Sequence, residues 1–238
     1  MKISIRVLLA FFCGILLYGF SAAQAQNPSD AGSSLEAVLK SMDTAAANFH
    51  TTQADFEWDR YEKVINEVDD VQYGTVYYRR AGKDVEMKAD INKPEQKYVL
   101  FSEGKIQVYQ PKPDQLTVYG AGKNRGDIEA YLVLGFGGSG QDLQKSFDVT
   151  DQGSETINNI QTAKLQLIPK SDKVKNTFAK IILWIDPQRG ISLQQQFFEP
   201  QGDYRLAKYS NLRVNQKIAG DVFRLKTTGK TQIVSPGG

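Results

Sequence analysis

Hydrophobic and polar positions follow two different periods along the chain. Leu35, Val38, Leu39, Met42, Ala46 and Phe49 recur at helical spacing, and Ser33 with Glu36 makes a capping box, so Ser33 to Phe49 is predicted as one amphipathic helix. The period then falls to two. Ala54, Phe56 and Trp58 alternate with Gln53, Asp55, Glu57 and Asp59, while Val85, Met87, Ala89 and Ile91 alternate with Asp84, Glu86, Lys88 and Asp90. That alternation belongs to antiparallel strands with one buried face. Similar runs recur at 72–79, 97–101, 106–109, 115–119, 162–168, 179–185, 193–198, 204–209 and 222–225, divided by turn pairs such as Glu103-Gly104, Pro113-Asp114 and Gln201-Gly202. A long meander is expected, mainly β with a minor helical part. Only Asp127–Phe136 and a short piece at Gln141–Phe147 return to helical spacing. The first of these is apolar on nearly every side, through Ile128, Tyr131, Leu132, Val133, Leu134 and Phe136, and must be covered on more than one face.

A sheet of this size presents more apolar surface than two or three short helices can cover. Either it curls until its own side chains fill the middle, or it forms an incomplete barrel whose interior accepts an apolar ligand. Periodicity does not separate the two.

The N-terminus changes the picture. Lys2 and Arg6 precede an apolar run from Val7 to Phe20 and the small-residue triplet Ala23-Gln24-Ala25, the pattern of a secretory signal peptide over residues 1–25 with cleavage before Gln26. The run is short for a membrane span, which needs roughly 18 or more apolar residues. The expected compartment is the periplasm, and residues 26–238 are expected to form one domain, with no repeat or linker to divide them. The one cysteine, Cys13, lies inside the apolar run without the small residue that a lipid-modified cysteine needs before it. A mature chain from Gln26 would therefore carry no thiol, hence no disulfide and no thiolate metal site. Loss of Lys2 and Arg6 would leave 27 basic residues against 27 acidic ones, interspersed in sign, which excludes nucleic acid as the expected partner.

Candidate chemistry is sparse. His50 is the only histidine and has no cysteine or second histidine with which to share a metal. No strand–turn–helix nucleophile elbow surrounds any serine that could pair with it. Gly135-Phe-Gly137-Gly-Ser-Gly140 fits the dinucleotide-loop pattern, but the parallel strand and long crossover helix of that unit are missing, and a flexible hinge is the better reading. Asp69-Asp70 is expected in a hairpin loop, Glu57 and Asp59 on the polar face of a strand, Trp184 in sheet core, and 170–175 in a solvated loop. No catalytic residue, cofactor or metal is expected.

In this setting a series of short motifs resembles the outer-membrane lipoprotein carriers of the LolA type over almost the whole mature chain. They are the helix running into Phe49-His50 and the strand Gln53-Ala-Asp-Phe56; Gly74-Thr-Val-Tyr-Tyr-Arg79-Arg80; Ser102-Glu-Gly-Lys105 before Gln107-Val-Tyr109-Gln-Pro111; the apolar stretch ending in Leu134-Gly-Phe; Leu183-Trp-Ile-Asp186; and Asp221-Val-Phe223-Arg-Leu225. The resemblance implies a curved, incomplete antiparallel β-barrel with an N-terminal helix and short lid helices. It also implies a lumen that shelters acyl chains of lipoproteins between an inner-membrane releasing complex and an outer-membrane acceptor, in a monomeric carrier that is not an enzyme. By strand parity Phe56, Trp58, Met87, Leu183 and Phe197 are the lining residues such a lumen would use; ordinary core is the competing reading of each. The family's lid-latching arginine at the end of the second strand is matched by Arg80, with Ala81 where proline usually follows and Val85 or Met87 where an aromatic residue usually stands. The lid itself would be Asp127–Phe136, with Ile128, Tyr131 and Leu132 facing the lumen and Val133 and Phe136 on its rim. A lipid- or lipoprotein-sensing module of the same fold without transport is the alternative, and a hydrolase a distant third.

Overall fold

The computed structural model describes residues 34–82, 84–120 and 134–236. Helix α1, Leu35–Ala47, buries the stripe Val38, Leu39 and Met42. Its cap is Ser34 rather than the expected Ser33: the Ser34 hydroxyl accepts the Ala37 N–H at 3.3 Å. Phe49 belongs to the same stripe by spacing yet lies beyond the helix end, buried in the sheet's core.

Twelve strands follow, forming one sheet. In chain order they are β1 (Thr51–Glu62), β2 (Glu67–Ala81), β3 (Asp84–Lys93), β4 (Lys97–Ser102), β5 (Lys105–Gln110), β6 (Gln115–Gly120), β7 (Phe147–Ile157), β8 (Ile160–Pro169), β9 (Lys180–Asp186), β10 (Ile191–Phe198), β11 (Tyr204–Val214) and β12 (Gln232–Val234). Two short helices, α2 (Gly140–Ser146) and α3 (Asp172–Lys175), and a 3-10 turn at Gly220–Phe223 complete the described elements. The spatial order is β12-β6-β5-β4-β3-β2-β1-β11-β10-β9-β8-β7. Two meanders, β1 to β6 and β7 to β11, are thus joined edge to edge where β1 pairs with β11, with Phe56 opposite Tyr209 and Trp58 opposite Ala207. The two ends of the sheet, β7 and β12, are not paired with each other, so the expected incomplete barrel is an open curved sheet.

Period-two alternation places one apolar set on a common face, where it forms two clusters. One gathers Ala54, Phe56, Val76, Tyr78, Met87, Ala89, Ile91 and Phe101 from β1 to β4, with Ala207 and Tyr209 of β11. The other packs Val38, Leu39 and Met42 of α1 and Leu143 of α2 onto Leu165, Leu167, Ile181, Leu183 and Ile185 of β8 and β9. Gly74 lets the first cluster close, because a Cβ there would stand 2.0 Å from the Asp90 carbonyl oxygen and 2.8 Å from the Phe56 ring.

Several local expectations are corrected. Asp69 and Asp70 lie in β2, and the hairpin turn is the four residues before it, Lys63–Asn66. The segment after Phe147 is a full strand although its side chains are mostly exposed, because β7 is an edge strand paired only with β8. The run 222–225 holds a 3-10 turn, not a strand, with Phe223 buried beneath the Arg79 guanidinium at 4.3 Å. One turn of helix, α3, interrupts 170–175. Trp184 is buried in the sheet as expected, its indole N–H donating to Glu155 at 2.9 Å.

The glycines of 135–140 act through close packing. A Cβ on Gly135 would meet that of Ser192 at 2.5 Å, one on Gly137 the Phe49 ring at 2.8 Å, and one on Gly140 the Leu39 carbonyl oxygen at 2.5 Å. Gly135 and Gly137 also hold φ of 79° and 117°, open to glycine. The turn is closely packed at all three glycines.

Candidate functional site

Where the two clusters meet, the common face leaves a cavity of about 390 Å³, within the roughly 300–1,000 Å³ of small-ligand sites. Its apolar lining comes from five strands: Trp58 of β1, Ile91 of β3, Val99 of β4, Phe197 of β10, and Ala207 with Tyr209 of β11. Ile91, Ala207 and Tyr209 are buried and form the floor. Asp59, Arg60, Asp70, Gln72, Lys97 and Arg205 add polar groups, and Leu206 completes the lining. Arg60 and Arg205 are exposed, which marks the solvent side.

Trp58 dominates one wall. Its ring stacks on Phe56 at 3.9 Å between centroids and 20° between planes. The indole N–H lies near the Tyr209 hydroxyl but not in hydrogen-bond geometry, so it is a buried donor without an acceptor. Phe197 forms the opposing wall, tilted against Phe178 at 5.3 Å. Beneath them Tyr209 is wholly buried; burial pushes its hydroxyl, and that of neighbouring Tyr78, well above the usual tyrosine range, so both stay neutral. On strand β1's other face Lys208 joins Glu57 at 2.6 Å to Asp59 at 2.8 Å; burial pulls its ammonium down, but the bonds to Asp59 and Glu57 outweigh this and raise it. Neither carboxylate is therefore an unpaired acid or base.

Of the five residues selected by parity, Trp58 and Phe197 line this cavity, and Phe56 lies immediately behind Trp58. Met87 and Leu183 do not reach it: each is buried in one of the two clusters. Ile91, Val99, Ala207 and Tyr209 were not selected, although they share the same face; the pairs Phe56–Tyr209 and Trp58–Ala207 across the β1–β11 seam place the last two, and no local pattern signals that seam.

Arg80 sits at the end of α1. Its guanidinium Nη2 donates to the Ala46 carbonyl oxygen at 3.2 Å and lies 5.8 Å from the Phe49 ring. The carbonyl end of a helix favours such a cation. Ile128, Tyr131 and Leu132, the expected lid, lie outside the described residues. The segment's described end is fixed: Gln195 donates to the Leu134 carbonyl oxygen at 2.6 Å, and the Ser192 N–H to that of Gly135 at 2.8 Å. Phe136 is buried between Tyr78, at 5.2 Å, and Tyr209, at 4.6 Å, not on a rim. His50 is exposed.

The sequence profile described as outer membrane lipoprotein carrier protein LolA matches residues 47–226, from the end of α1 through the 3-10 turn. The chain belongs to the LolA family. A LolA relative from Methylobacillus flagellatus, named outer-membrane lipoprotein carrier protein, is 27% identical over 207 residues, covering 87% of this chain and 89% of the relative. One of the same name from Methylococcus capsulatus is 26% identical over 210 residues, with 88% of both covered. The fold is shared more widely: MucB superposes with a TM-score of 0.53 at 14% identity, over 84% of this chain and 65% of that one, and a chain of the MucA/MucB complex of Pseudomonas aeruginosa with a TM-score of 0.50 at 15% identity, over 82% of this chain and 62% of that one. LolA proteins are carriers of the periplasm, which agrees with the expected compartment. No helix among the described residues is long and apolar enough to cross a membrane.

Proposed function

We propose that the protein is a non-enzymatic, monomeric periplasmic carrier that holds acyl chains of lipoproteins in the cavity between Trp58 and Phe197. It would take them from an inner-membrane releasing complex and yield them to an outer-membrane acceptor. The observation that carries this reading is the cavity itself: an aromatic and aliphatic floor, opened to water on one side, in a LolA-family sheet. An exposed acyl chain forfeits about 0.8 kcal/mol per methylene, so a lipid-modified protein crosses water only if sheltered.

Native mass spectrometry of protein isolated from its own periplasm is the direct test. Bound acylated species, exchangeable on addition of a diacylated lipopeptide, are expected. Protein that stays empty under that challenge would overturn the reading. The likeness to MucB favours one other reading, a module that binds a protein partner without transport. It would appear in the same spectra as a stable, non-exchanging complex.

A further inference from the structure

Four of the six large hydrophobic side chains exposed among the described residues lie on one hairpin: Val64, Ile65, Val68 and Tyr73. Scattered exposed hydrophobics are ordinary, but a cluster is not. Val64 is 93% and Ile65 54% exposed, side by side in the turn that joins β1 to β2. The same two strands bring Trp58, Arg60, Asp70 and Gln72 to the cavity. Only the cross-strand pairs Tyr61–Val68 and Glu62–Glu67 separate Arg60 and Asp70 from the turn. The apolar tip therefore projects from the solvent side of the cavity.

We propose that the Val64–Ile65 tip inserts into the surface of a phospholipid bilayer and sets the cavity against it while an acyl chain moves between the two. The inference rests on the acyl-carrier reading. A bilayer is the occupant that fits, because two side chains on a convex turn cannot supply the roughly 800 Å² per partner of a stable protein interface. Insertion into lipid needs no complementary shape, only apolar atoms removed from water. Directly behind the tip Tyr61 stacks on Tyr204 at 4.5 Å, the kind of aromatic pair that sits at headgroup level. Charge selects the lipid. Between residues 60 and 70 there are two basic residues, Arg60 and Lys63, against four carboxylates, Glu62, Glu67, Asp69 and Asp70. An anionic surface would not attract this hairpin, so contact is with zwitterionic lipid and changes little with salt.

The test uses the mature chain from Gln26, which has no cysteine of its own. Val64→Cys labelled with a nitrobenzoxadiazole probe should show blue-shifted, brighter emission on mixing with phosphatidylcholine–phosphatidylethanolamine vesicles, with no gain from added anionic lipid. The double variant V64E/I65E should bind a diacylated lipopeptide in solution as the parent does but deliver it to protein-free vesicles about tenfold more slowly. An unshifted probe together with unchanged delivery would overturn the proposal. Delivery lost only toward membranes that retain their proteins, and intact toward protein-free vesicles, would also overturn it and make the tip a protein-docking element. If the parent chain binds no lipopeptide, the carrier reading fails, and the labelled tip still reports on bilayer insertion by itself.

Discussion

Trp58 and Leu183 face the same side of the sheet but carry different burdens. Leu183 is fully buried beside Leu165 and the helix residues Val38 and Met42. Its replacement by alanine should cost about 2–5 kcal/mol of stability, the range for large-to-small changes in packed cores, and leave lipopeptide affinity nearly unchanged. Trp58 is half-buried at a cavity wall. Trp58→Ala should cost far less stability but weaken lipopeptide binding by roughly fivefold, the equivalent of about 1 kcal/mol of lost apolar contact. Chemical denaturation and a displacement titration on both variants check this; equal losses of affinity would remove Trp58 from the lining. Parity in the sequence assigns both residues to the concave face, but which concave positions lie under α1 depends on the sheet's curvature, and no local pattern encodes that. Arg80 was legible as a candidate and its partner was not, because the Ala46 carbonyl is 34 residues away in the chain. Arg80→Leu should load lipopeptide normally and release it more slowly, with little change in stability, since one exposed hydrogen bond contributes at most about 1 kcal/mol. Unchanged release to an acceptor membrane would reduce Arg80 to a cap on α1.

At the scale of elements, the C-terminal strand hangs on one carboxylate. Asp114 accepts the Thr228 hydroxyl at 2.5 Å, that of Thr231 at 2.6 Å and that of Tyr109 at 3.0 Å. The Thr228 and Thr231 hydroxyls, ahead of Tyr109, hold its carboxyl below the usual aspartate range. A lowered carboxyl stabilises the fold above the unfolded value near 3.9 and loses that contribution as pH falls through the folded one. Amide exchange should therefore show Thr231–Val234 losing protection selectively as pH drops below about 4, while β8 and β9 stay protected. Asp114→Asn should loosen the same residues at neutral pH. Protection that is indifferent to both changes would mean that pairing of β12 with β6 alone holds the tail. β12 was invisible in the sequence for a related reason: a strand of three residues, two of them exposed, is too short to show apolar alternation, and its position comes from Asp114 and the β6 edge. β7 escaped in part because, beyond Phe147 and Val149, its residues from Thr150 to Thr156 are polar or glycine on both faces. The strands from β1 to β6 and from β8 to β11 were readable because most bury one face and show it, while β9, buried on both faces, reads as a short continuous apolar run.

The whole molecule follows from one pairing. The sequence shows two stretches of alternating residues around an apolar interruption, but it does not show that β1 and β11 lie side by side, and that contact both unites the sheet and creates the cavity floor. Across it Glu57 bonds Lys208, 151 residues apart. Each meander is local and can zip from its own turns, whereas the seam must wait for the loop between its strands to close, and such long-range pairing slows folding. For a chain that emerges N-terminus first, β1 has to wait with its inner edge open until almost everything else has appeared. The cavity is thus the last part of the protein to exist, and a half-made chain has no place to hold a lipid.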